Sequence, residues 1–144
     1  MSFEARDPRF VSRTRESFAS QGFMRALEAE MTQLGPGTCE LTLGFRDELA
    51  QQHGYFHGGV VATLADVSGG YAAFSLLPPD RTNVTVECKL SLIAPGVGRR
   101  RVARAVVLKA GRALTFCRSD VFCVADTGQE VLCAMALATY MAVA

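Results

Sequence analysis

The sequence predicts an α+β domain in which one antiparallel sheet packs on a single long central helix. Three observations predict it. From His57 to Pro78, apolar residues recur at the four-and-three spacing of one helical face (Val60, Leu64, Val67, Tyr71, Phe74). Two other runs, from Thr38 to Arg46 and from Val84 to Ile93, alternate apolar and polar residues as half-buried strands do, and three more strand-like runs follow them. The connectors after the long helix are short, which suits antiparallel hairpins, because parallel neighbours need long crossovers.

A chain of 144 residues fits one domain, so 1–144 reads as a single unit with an N-terminal helical segment over 1–35. The spacing predicts a helix over 12–34, with Phe18, Phe23, Met24, Leu27 and Met31 on its apolar side, Ser12 as a cap and a break or bend at Gly22. Gly35-Pro36-Gly37 stops it. Thr38 to Arg46 alternates cleanly and reads as a strand; the polar run from Asp47 to Phe56 reads as a loop. After the long helix, closed by Pro78-Pro79, Val84 to Leu92 alternates and ends at Pro95-Gly96. Strands near 100–110, 113–125 and 130–142 follow, divided by Ala110-Gly111 and Asp126-Thr127-Gly128. The edges of such a sheet predict self-association.

Composition narrows the function. Hydrophobic residues make up 49% and charged residues 20%, too apolar for a disordered chain. The formal net charge of +1 gives no long-range field for nucleic acid or an anionic membrane, and neither is expected as a partner. The longest apolar stretch, LCAMALATYMAVA, falls well short of the roughly 20 residues of a membrane helix. The first ten residues hold no apolar signal core. Five cysteines, odd in number and without CxxC spacing, read as reduced thiols. A cytoplasmic location is the expectation.

The chemistry concentrates in QQHGYFHGGVVATLADVSGGYAA, residues 51–73. Asp66 stands in an apolar run, and its neighbours at helical spacing are Gly59, Ala62, Thr63, Gly69, Gly70 and Ala73, all small. Two readings are open: a solvated acid on the polar side of the helix, or an acid on a bare stripe that a ligand or partner helix can approach. His57-Gly58-Gly59 opens the helix, where free backbone N–H groups and the helix dipole attract an oxyanion. His57 is a candidate for catalysis or for capping. His53 and His57 lie four apart but in a loop context without a third ligand, so no metal is expected.

Gln51, His57-Gly58-Gly59-Val60 and Asp66 together resemble the signature of the hotdog-fold acyl-coenzyme A thioesterases, in the phenylacetate-pathway (PaaI-like) branch. The likeness extends to SLIAPG and LKAGRALTF and spans nearly the whole chain. The resemblance implies a five- to six-stranded antiparallel sheet wrapped around the helix, and protomers joined as a dimer or a dimer of dimers with active sites at their interface. It implies that Gly58 polarises the thioester carbonyl, that Asp66 is nucleophile or general base, that Gln51 lies beside the reacting carbonyl and that Thr85 assists water. Some relatives carry a threonine where this chain has Gly70.

Thioester hydrolysis needs an acid and a fixed oxyanion donor, and no cofactor beyond the coenzyme A of the substrate. The expected reaction is hydrolysis of an aryl- or medium-chain acyl-CoA to free acid and coenzyme A. Gly59 and Gly70 are candidate substrate contacts. Among the basic residues Arg99, Arg100, Arg101, Arg104, Lys109 and Arg112, the candidates for the coenzyme A phosphates are Arg99, Arg100, Lys109 and Arg112. A non-catalytic acyl-CoA or acyl-carrier binding module on the same fold is the alternative, and a dehydratase ranks last for want of a histidine paired with an acid.

Overall fold

The computed structural model describes residues 2–144. Its elements run α1 (Phe10–Ser20), α2 (Gly22–Leu27), β1 (Glu30–Gly35), β2 (Thr38–Gly44), a 3-10 turn (Asp47–Leu49), α3 (Gly58–Phe74), β3 (Thr82–Leu92), β4 (Arg100–Ala110), β5 (Leu114–Val124) and β6 (Glu130–Val143). The six strands form one sheet in the order β1-β2-β4-β5-β6-β3, with every neighbouring pair antiparallel.

The sheet curls around α3, which packs against β2, β3, β4, β5 and β6. Alternation decides which side chains meet it: Leu41 and Leu43 of β2, Ala103 and Ala105 of β4, Cys117 and Val121 of β5, and Ala134 of β6 are all buried. The strands facing the helix supply many small residues, so the helix sits close to the sheet. Val60, Leu64, Tyr71 and Phe74 are buried as their spacing predicts, but so are Val61, Ala65, Ser68 and Ala72. The helix is therefore covered on most of its circumference, as expected of a central helix.

The N-terminal third departs from the sequence reading. The helix predicted over 12–34 is two short helices and a strand. It begins at Phe10 with Arg9 at the N-cap position, and Ser12 does not cap it but donates its hydroxyl to the Arg9 carbonyl at 3.1 Å. The break falls at Gln21, beside Gly22. Residues 30–35 are β1, paired with β2 in a hairpin that turns at Gly35-Pro36-Gly37. The physical reason is Glu28, which ends α2 in the left-handed conformation at φ 56°. Glycine usually marks such a stop. A glutamate there gives no sequence signal. The loop read over 47–56 contains the 3-10 turn and one isolated bridge between Ala50 and Phe56.

Two contacts tie the periphery to α3. Gly37 donates its N–H to the Ser75 hydroxyl at 2.8 Å, just beyond the helix. Asp7, only 1% exposed, accepts from the Arg9 N–H and from Arg13 Nη1, each at 2.9 Å. Arg13 also donates to the carbonyls of Pro78 and Arg81 and lies over the Phe74 ring. No described helix is long and apolar enough to cross a membrane.

The Asp7 clasp predicts an acid-sensitive contribution to stability. The Arg9 N–H, and then the Arg13 guanidinium, hold the Asp7 carboxyl below its ordinary value of 3.8. A carboxyl depressed in the folded state stabilises above its unfolded value and loses that contribution as pH falls through the folded one. Asp7→Asn should therefore lower the thermal midpoint at pH 7, with the gap to the native protein closing below pH 4.

Candidate active site

Asp66 sits in the middle of α3, half-buried, on the side of the helix that faces β3. Its position follows from strand register. In the β3–β6 ladder Thr85 is the direct partner of Tyr140, so two hydroxyls arrive side by side under the helix. Thr85 Oγ1 donates to Asp66 Oδ1 at 3.0 Å. The Tyr140 hydroxyl donates to the Asp66 main-chain carbonyl at 2.7 Å and lies 3.3 Å from Oδ1. Oδ2 has no partner among the described residues. Burial, reinforced by the nearby Asp66 charge, pushes the Tyr140 hydroxyl well above the ordinary tyrosine range, so it stays a donor.

The acid opens into a cavity of about 180 Å³ lined by Ser17, Gln21, Gly70, Tyr71, Asn83 and Thr85, among others. Tyr71 closes one wall, its hydroxyl held by Gln21 Nε2 at 2.8 Å and 3.2 Å from Ser17 Oγ. Asn83 Nδ2 donates to the Gly70 carbonyl at 2.9 Å, fixing the start of β3 to the helix. The small stripe around Asp66 is not one open face: Gly69 and Ala73 are buried, while Ala62, Thr63 and Gly70 remain half-exposed.

The head of α3 lies elsewhere. Gly58 and Gln51 line a second cavity, of about 460 Å³, with Tyr55, Phe56, Leu92 and Ile93 in its wall. The Gly58 N–H donates to no group of the described residues. The Gly59 N–H, in contrast, is taken by His57 Nδ1 at 2.8 Å, so Gly59 is not a free oxyanion donor and His57 is the N-cap of the helix. Gln51 Oε1 accepts the His53 N–H, which leaves its Nε2 as the available donor. Asp66 follows Gly58 by eight residues, about 12 Å along a helix axis. Within one chain these two groups do not share a cavity.

The basic candidates do not gather into one patch. Arg99, 83% exposed, pairs with Asp126 at 3.4 Å and lines a shallow hollow with Arg100 near the start of β4. Lys109 is exposed at the other end of β4, about 30 Å from Arg100 at the rise of an extended strand. Arg112 is in the β4–β5 turn, where it lines a cavity of about 440 Å³ with Phe3, Arg6 and Arg81. Arg104 is committed to the sheet, donating to Glu40 at 2.7 Å and to both Glu130 oxygens at 2.6 and 2.7 Å. Arg101 is fully buried and cannot meet a surface nucleotide.

Tyr140 and Asn83 escaped the sequence reading, which took Tyr71 only as a residue of the apolar helix face. Tyr140 looks like one more apolar position in the C-terminal strand. The available signal was Gly69, because a side chain on that glycine would collide with the Tyr140 hydroxyl. Among the described residues no three His, Cys, Asp or Glu side chains converge as a metal site would require.

Comparison with known proteins places these groups in context. Residues 53–128, which hold Gly58, Asp66 and Thr85, match the family model for the thioesterase superfamily. A crystal structure of a thioesterase family protein from Silicibacter pomeroyi is 40% identical, with a TM-score of 0.91 over 93% of this chain and 98% of that one. A single-residue variant of the phenylacetic acid degradation protein PaaI from Thermus thermophilus is 30% identical, with a TM-score of 0.72 over 84% of this chain and 98% of that one. The Escherichia coli PaaI protein shares the fold at 18% identity, with a TM-score of 0.82 and 94% of each chain covered. The sheet wrapped around α3 is the hotdog fold.

Packing at Gly69 predicts a sharp contrast with its neighbour. Gly69→Ala should cost about 1–3 kcal/mol of stability, because the new methyl displaces the Tyr140 hydroxyl from the core side of Asp66. At Gly70 the added carbon would come no closer than 3.4 Å to the Tyr140 ring, so Gly70→Ala should cost far less. Urea unfolding of the two variants checks the difference.

Proposed function

The chain belongs to the thioesterase superfamily and is a thioester hydrolase, and we propose that it cleaves an aryl- or medium-chain acyl-CoA to free acid and coenzyme A at a site shared by two copies. The observation that carries this reading is that Gly58 and Asp66 line separate cavities, eight residues and about 12 Å of helix rise apart. An oxyanion donor must lie about 3 Å from the oxygen it stabilises, and the attacking group must reach the adjoining carbon. One chain cannot place both. Two chains can.

Strand β3 supports the pairing. It is hydrogen-bonded to β6 on one side only, and its free edge carries exposed apolar side chains, Val84, Val86 and Leu92. A bare apolar edge invites another strand. Thr85 marks the Asp66 end of this strand, and Leu92 marks the Gly58 end, since a Cβ on Gly58 would meet Leu92 Cδ1 at 3.5 Å. Antiparallel pairing of two β3 strands about a point between Cys88 and Lys89 sets Leu92 against Thr85 of the partner subunit. Each Gly58 then faces Asp66 of the partner subunit.

In this arrangement the Gly58 N–H and Gln51 receive the thioester oxygen. Asp66, oriented through Oδ1 by Thr85 and Tyr140, either attacks the carbonyl carbon itself or takes a proton from the attacking water. On the general-base route the C–S bond breaks in the tetrahedral intermediate and the proton held by Asp66 passes to the departing sulfur. On the nucleophilic route coenzyme A leaves as a thiolate that takes its proton from water, and a second water hydrolyses the resulting acyl-Asp66 anhydride to free acid and regenerates the carboxylate. No metal or redox step is needed. The five free cysteines suit a reducing, cytoplasmic setting, and exposed outer-face residues such as Phe116 and Leu137 leave room for a dimer of dimers.

Thiol release over a panel of acyl-CoAs tests the reading. Asp66→Asn should lose turnover by about 100-fold or more while keeping its thermal midpoint; undiminished hydrolysis would refute it, and binding without turnover by the native protein would favour a non-catalytic module. The shared site makes a second prediction. Gln51→Ala and Asp66→Asn chains, each poorly active alone, should regain activity when co-expressed, because the mixed dimer assembles one intact site. Sites contained in single chains would show no recovery.

A further inference from the structure

Arg101 is the largest side chain among those fully buried, with 0% exposure. It stands on the inner face of β4 between Leu43 of β2 and Cys123 of β5. A buried guanidinium normally meets a carboxylate. Arg101 takes part in none of the ion pairs among the described residues. Nη1 donates to the Arg100 carbonyl at 3.2 Å, while Nε and Nη2 have no hydrogen-bond partner among the described residues.

What surrounds the charge is the wall of the Gly58 cavity. The guanidinium carbon lies 4.1 Å from the centroid of the Phe56 ring, and Nη2 occupies the space a side chain on Gly96 would need. Phe56, Gly96 and Cys133 all line that cavity. The titratable groups that sense Arg101 are the thiols of Cys123 and Cys133, and burial pushes Cys133 up to about 12, so it is a neutral neighbour at physiological pH. The cation is thus one layer of side chains behind the cavity, in surroundings of low polarity where its field is weakly screened.

We propose that Arg101 is a positioning residue of the thioester site, a deliberately uncompensated cation that favours the negative charge gathering on the carbonyl oxygen in the Gly58 cavity. The proposal rests on the reading that this cavity receives the thioester oxygen. An arginine kept only for packing would be improved by an apolar side chain of similar length, because an unpaired buried charge works against folding. One kept for its field would not be replaceable without loss of rate. Its action falls on the transition state more than on the neutral ground state, so it should appear in kcat and not in KM.

The test compares native protein, Asp66→Asn, Arg101→Met and Arg101→Lys by thiol release and by thermal unfolding. Arg101→Met should unfold at the native temperature or higher, lose about tenfold in kcat and keep KM within about twofold. Arg101→Lys should recover most of the rate at low pH and lose it as pH rises, as the buried ammonium gives up its proton, a limb the native protein lacks. Native kcat in Arg101→Met, or a parallel fall of rate and unfolding temperature in both variants, overturns the proposal. If the native protein releases no thiol, or Asp66→Asn is unimpaired, the thioesterase-site reading itself has failed and takes this proposal with it.

Discussion

The site depends on one register. Pairing Thr85 with Tyr140 across β3 and β6 brings two hydroxyls under the same turn of α3, and the acid between them is oriented before any ligand arrives. Tyr140 reaches that turn only because Gly69 has no side chain in its path. A one-residue slip of β3 would turn Thr85 to the opposite face of the sheet. Asn83 Nδ2 on the Gly70 carbonyl guards against such a slip at the start of the strand. Fold stability and orientation of the acid are therefore the same property in this region.

A second theme is incompleteness. The carboxylate and the helix head are separated along α3 by a length that no side-chain motion closes, and the strand beside them ends in an unpaired apolar edge. The proposed pairing of two identical chains along β3 answers both facts at once, covering the edge and bringing each helix head to a carboxylate. The buried charge of Arg101 belongs to the same picture. It packs on Phe56 without an ionic partner, against the wall of the cavity proposed to hold the oxyanion.

Much of this was legible from residue order. The long helix, β2 and the four strands after the helix fall close to where alternation and turn residues put them, because each is bounded by glycine, proline or a polar turn. Strand β1 was not legible: Glu28 stops α2 without a glycine, and a bulge between Met31 and Gln33 spoils the alternation of so short a strand. Gly58 and Asp66 announced themselves through spacing. The separation of their cavities did not, since it depends on how β3 lies along the helix. Arg101 read as one of three adjacent arginines; strand parity turns it inward and Arg100 to the other face, while Arg99, of the same parity as Arg101, stays outside because it precedes β4.

Helix α1 brings Ser17, and the break that follows it brings Gln21, to the Tyr71 wall of the acid's chamber, and the helix is anchored from outside through Arg13 and Asp7. The wall of the chamber and the acid within it are thereby held by different segments of the chain. Substitutions along this outlying helix can widen or narrow the chamber while the register beneath Asp66 stays intact.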